Sequence, residues 1–108
     1  MEERQEVIAN KVWKFFNEEL TEYDSDLNTG NNINEDIRKS VYGNFTRKCI
    51  KEWPFAIGVD DRLIDLAINK TYEWAARQED YFEDSIEETA QEFAVASMNR
   101  LAHLVLFS

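Results

Sequence analysis

The chain is poor in residues that interrupt secondary structure. It has one proline, Pro54, and three glycines, Gly30, Gly43 and Gly58, in 108 residues. It has no Asn-Gly or Asp-Gly pair, which disfavours tight two-residue hairpins and a fold of many short strands. The single cysteine, Cys49, excludes an internal disulfide and fits a reducing compartment. The single histidine, His103, has no acid three or four residues away, so the Glu-x-x-His pairing of di-iron helical bundles is missing. There is also no glycine-rich phosphate loop. These gaps argue against an enzyme and against a resident cofactor. No apolar run approaches the roughly 18 residues that suggest a membrane span, and no basic-apolar leader opens the chain. The expectation is a soluble, cytoplasmic protein that does not associate with membranes.

What is present is a real core and a large negative charge. Three Trp, four Tyr and seven Phe within a 44% apolar composition argue against disorder and for one domain spanning residues 1–108. The net charge is −10, from 22 acids against 12 bases. It is uneven: residues 1–54 carry 11 acids and 8 bases, net −3, whereas residues 55–108 carry 11 acids and 4 bases, net −7. Such a surface repels nucleic acid and anionic membranes and favours basic partners.

Four segments have helical periodicity, and together they predict an all-α, four-helix bundle-like domain with a long, central C-terminal helix. In the first, Glu2 to Leu20, the residues Val7, Ile8, Val12, Phe15, Phe16 and Leu20 form the expected buried face, with Trp13 off that stripe. The second runs from about Glu35 to Trp53, with Asn34 as candidate N-cap. Its stripe is Ile37, Val41, Phe45, Cys49 and Trp53, one residue every four. Gly43 costs such a helix about 1 kcal/mol relative to Ala, which suggests a close helix crossing there. Pro54 ends the helix, because the residue before a proline avoids the helical region. The connector Phe55 to Val59 is expected to tuck into the core. The third helix, from near Asp60 to about Arg77, directs Leu63, Ile64, Ala67, Ile68, Thr71, Tyr72 and Ala75 inward, with Leu66 and Trp74 flanking.

The fourth segment, Ser85 to Ser108, is the longest without Gly or Pro. Ser85 and Glu88 form a capping box. One stripe holds Ile86, Ala90, Phe93, Ala94, Leu101, Leu104 and Val105, and a second holds Val95, Met98, Ala102 and Leu106. A helix apolar nearly all round is central or shared between subunits. Leu101, Leu104, Val105, Leu106 and Phe107 are therefore candidates for self-association in a homodimer.

Between Arg77 and Arg100 no basic residue occurs, while Glu79, Asp80, Glu83, Asp84, Glu87, Glu88 and Glu92 form an acidic row. Like charges at i, i+4 repel by a few tenths of a kcal/mol, so the row slightly destabilises an isolated helix. It reads either as a solvated face with dipole-favoured acids at a helix start, or as a strip that docks on a basic groove. Tyr81 and Phe82, set among these charges, and Trp74 nearby are candidate apolar anchors. Helix 2 carries the counter-charge, Arg38, Lys39, Arg47, Lys48 and Lys51, read as an exposed face that balances the acids or contacts the acidic row. Cys49 reads as a small buried hydrophobe, and His103 as a packed or interface residue.

Asp24, Asp26 and Asn28, followed by Glu35, stand at positions 1, 3, 5 and 12 of a twelve-residue loop between two helices. These residues resemble part of a calcium-binding EF-hand loop. The pattern departs from that family at Gly30, which falls at position 7 where position 6 is needed, and at Ile33, at position 10 where position 8 is needed. No second such loop is present to pair with it. A plain polar loop with an N-cap explains the same residues. By composition alone, a small acidic helical chain without catalytic grouping resembles inhibitor-type proteins such as phage DNA mimics and toxin immunity proteins. That resemblance implies binding of another, basic protein.

Overall fold

The computed structural model describes the backbone of residues 2–23, 35–78 and 86–107, and side chains within 5–16, 39–78 and 87–107. Four α-helices run α1 (Glu2–Tyr23), α2 (Glu35–Lys51), α3 (Asp61–Ala76) and α4 (Ile86–Phe107), with a 3-10 turn, Pro54–Ala56, between α2 and α3. No strand occurs among the described residues. The fold is all-α and bundle-like, and α4 packs against each of the other three helices. No described helix is long and apolar enough to cross a membrane.

Small residues let α4 take this central position. Its buried face alternates Thr89, Ala90, Ala94 and Ser97 with Phe93, Met98 and Leu101, so neighbouring helices approach closely around a few large side chains. Phe93 is the hub. Its ring lies 5.5 Å from Tyr42 of α2 and 4.7 Å from Tyr72 of α3, centroid to centroid. A second aromatic group ties α1 to α2, with Trp13 edge-on to Phe45 at 5.2 Å and Phe16 at 5.4 Å from the same ring. Separations of this size fall in the range where aromatic pairs add to their area burial.

The stripe spaced by four in α2 is buried as its spacing predicts: Val41, Phe45, Cys49 and Trp53 all lie in the core. The side chain of Ile37 lies outside the described residues. In α1 the expected face is right at Val12 and Phe16, which are buried, and at Ile8, which packs against the core, but wrong elsewhere; the side chain of Leu20 lies outside the described residues. Val7 is 63% and Phe15 69% exposed, whereas Trp13, read as off the stripe, is 5% exposed. The true face is Gln5, Ala9, Val12, Trp13 and Phe16. Val7 precedes Phe16 by nine residues, about two and a half turns, which places the two on opposite sides of the helix. The large apolar residues of α1 surround most of its circumference, and the small Ala9 marks the side that packs closest.

The boundaries follow local chemistry. Trp53 is extended, as a residue before proline must be, and its ring stacks on Phe55 at 4.8 Å. Ala56 is buried and Phe55 and Val59 are half-buried, but Ile57 points to solvent, so the connector tucks in only partly. Gly58 adopts φ +82°, a left-handed conformation that side chains resist. Asp60 caps α3, its carboxylate accepting from the Arg62 backbone N–H at 2.9 Å. Asn34 and Ser85, the expected N-terminal caps of α2 and α4, lie outside the described residues.

Gly43 does mark a close crossing. A Cβ there would sit 2.9 Å from the Tyr72 hydroxyl, which donates to the Lys39 carbonyl across the α2–α3 contact.

Two stability predictions follow from this packing. Phe93→Ala leaves Tyr42 and Tyr72 without their shared partner and should destabilise the fold by about 3–5 kcal/mol, measured by urea denaturation. Gly43→Ala should be neutral or destabilising in the native background, where it displaces the Tyr72 hydroxyl. In a Tyr72→Phe background the hydroxyl is gone, and the same change should stabilise by up to about 1 kcal/mol through helix propensity. The same sign in both backgrounds would show that the hydroxyl does not set the crossing.

Candidate functional site

The residues with chemical potential fall into three regions. The first is the acidic start of α4. Glu87 and Glu88 occupy its first turn, where the helix dipole favours acids, and Glu92 lies one turn further on; all three are exposed. Glu79, Asp80, Tyr81, Phe82, Glu83 and Asp84, the rest of the expected acidic and aromatic surface, lie outside the described residues. Within the basic cluster of α2, Arg47 pairs with Asp65 of α3, both well exposed, so the bridge adds little stability.

The second region is a groove of about 520 Å³ over α4, between α1 and the end of α3. Trp74 of α3 and Val95 and Ala96 of α4, all half-buried, line it. Glu6 and Asn10 come from α1, and Gln91, Glu92 and Asn99 from α4. Two residues singled out from sequence, Trp74 and Glu92, are therefore brought together. Glu6, Asn10 and Asn99 were not foreseen. They are single polar residues on the flanks of two helices, and only the packing of α1 on α4 places them side by side.

The third region is the end of α4. Leu101 is fully buried within the chain and cannot act as a self-association surface. Leu104 and Val105 are half-buried against the core. Only Leu106 and Phe107, 60% and 74% exposed, remain as apolar surface there. His103 is exposed, with its ring 4.7 Å from that of Phe107.

The loop that resembles part of an EF-hand (Asp24, Asp26, Asn28) lies outside the described residues, as does the side chain of Glu35, the first residue of α2. Among the described residues, no group of three or more His, Cys, Asp or Glu is placed to hold a metal ion.

Cys49 lies in the core, where burial pushes its thiol from 9.0 up to about 12. Burial likewise pushes Tyr72 from 10.0 up to about 12. Between these limits the folded chain keeps protons that the unfolded chain releases, so stability falls as pH rises above about 9. Urea denaturation at pH 8 and pH 10 should show this loss, with a slope bounded by about 1.4 kcal/mol per pH unit for each group. The slope should flatten in Cys49→Ala, and the native thiol should resist alkylation until the chain unfolds.

Compared with known protein families, characterised proteins and solved structures, the chain matches none.

Proposed function

We propose that this chain is a non-enzymatic, acidic helical protein that acts in the cytoplasm by binding a basic protein, in the manner of an inhibitor, an immunity protein or a nucleic-acid mimic. The observation that supports this most is the exposed acidic start of α4, Glu87, Glu88 and Glu92, in the half of the chain with net charge −7. None of the three has a cationic partner among the described residues. A field of one sign speeds encounter with a basic surface and repels nucleic acid and anionic membranes. Glu79 to Glu92 supply the steering, and Tyr81, Phe82 and Trp74 the apolar anchors. The remaining reactive side chains fit structural roles: Cys49 is buried, and the His103 ring lies tilted against that of Phe107.

The second reading is a homodimer through the end of α4, for which Leu106 and Phe107 are exposed. Each copy supplies both side chains, so a dimer buries four and gains at most about 6–12 kcal/mol, within the roughly 4–15 kcal/mol that association costs. With Leu101 spent on the core, this surface is smaller than the whole apolar run, and the first reading is preferred.

Pull-down from the source lysate, comparing the native chain with Glu83→Lys/Glu87→Lys/Glu88→Lys, tests both readings. The first reading expects a basic protein retained by the native chain, released by high salt, and bound at least about tenfold more weakly by the reversed variant. Equal retention by both would overturn it. Light scattering that shows a monomer at micromolar concentration would remove the homodimer.

A further inference from the structure

The groove over α4 has features that one kind of occupant satisfies together. Its two carboxylates, Glu6 and Glu92, are carried by different helices, and neither has a cationic partner among the described residues. No Lys, Arg or His is among the described residues that line it. Trp74 and Val95, both half-buried, supply apolar lining, while the amides of Asn10, Gln91 and Asn99 each both donate and accept hydrogen bonds. The volume of about 520 Å³ falls within the roughly 300–1,000 Å³ typical of ligand sites.

These features exclude most occupants. An anion meets two carboxylates and no cation. A purely apolar ligand strips water from carboxylates and amides without replacing their hydrogen bonds. Arginine and lysine combine a charged head with a long apolar stem, which matches a lining that holds both carboxylates and apolar side chains. An indole wall adds attraction for a cation.

Resting on the reading that the partner is a basic protein, we propose that the groove seats a short segment of that partner centred on one arginine or lysine side chain. Its charged head lies between Glu6 and Glu92, its methylenes lie along Trp74 and Val95, and its flanking peptide groups bond the amides of Asn10 and Asn99. The groove would then be the anchor of the interface and the acidic start of α4 its steering field.

The probe is a short serine- and glycine-based peptide with one central arginine, beside the same peptide carrying glutamine there. Each is titrated into the full chain at near-physiological salt and followed by nitrogen-15 NMR. The chain has three tryptophans, and Trp13 and Trp53 are buried, so their indole N–H signals act as internal controls. The arginine peptide should move the Trp74 indole signal and the side-chain amides of Asn10 and Asn99, leave Trp13 and Trp53 in place, and outcompete the glutamine peptide. Glu6→Gln/Glu92→Gln should weaken it by at least roughly tenfold, as expected when two charge-assisted contacts are lost. Both substitutions are at exposed positions, and an unchanged spectrum elsewhere confirms the fold. Shifts spread along Glu87 and Glu88 with Trp74 unmoved would overturn the proposal, as would unchanged affinity in the double variant. The two readings fail separately. If the lysate partner is lost on reversing Glu83, Glu87 and Glu88 but the peptide ignores Glu6 and Glu92, the groove proposal falls and the basic-partner reading stands. If neither variant loses the partner, both fall.

Discussion

The packing of Phe93 against Tyr42 and Tyr72 is the contact on which the rest of this bundle depends. It joins α2, α3 and α4 through one side chain, with ring separations of 5.5 and 4.7 Å. Tyr72 is held in turn by its hydroxyl, which reaches the Lys39 carbonyl across the gap left by Gly43. A glycine that costs α2 helix propensity therefore serves to set the distance between α2 and α3. Helix α1 joins through the separate Trp13, Phe16 and Phe45 group, so α2 is the bridge between the two aromatic clusters.

A large core leaves charge for the surface, and its distribution separates two roles. The exposed pair Arg47 and Asp65 joins α2 to α3 at low energetic value. The acids at the start of α4 sit where the dipole tolerates them, and there they project a field rather than a bond. The groove has a different character. Its lining mixes two acids with an indole and aliphatic side chains, and that mixture offers recognition where a bare acidic ridge offers only attraction.

The helices were legible because their signals are local and agree with one another. In α2, apolar residues spaced by four, a following proline and lysines in the last turn all indicate the same element. At α3, Asp60 announces its own start by capping. In α1 periodicity placed Val12 and Phe16 inside but misplaced Val7, Phe15 and Trp13. Large apolar residues stand on several sides of this helix, so bulk alone does not mark the side that packs. The small Ala9 and the polar Gln5, both buried, mark the face, because closeness of approach to α4 decided which side turned inward.

The sequence by itself determined that this chain is helical, rich in core and strongly acidic, that α2 stops short of Pro54 and α3 starts after Asp60, and that Gly43 sits at a crossing. Those properties depend on neighbours within a few residues or on sums over the chain. Only the tertiary structure decided that Leu101 belongs to the interior, that Leu106 and Phe107 do not, and that Glu6, Trp74 and Glu92 line one groove. Glu6 and Glu92 are 86 positions apart in the chain. No local pattern can join them, and only the docking of α1 and α3 on the small-residue surface of α4 does.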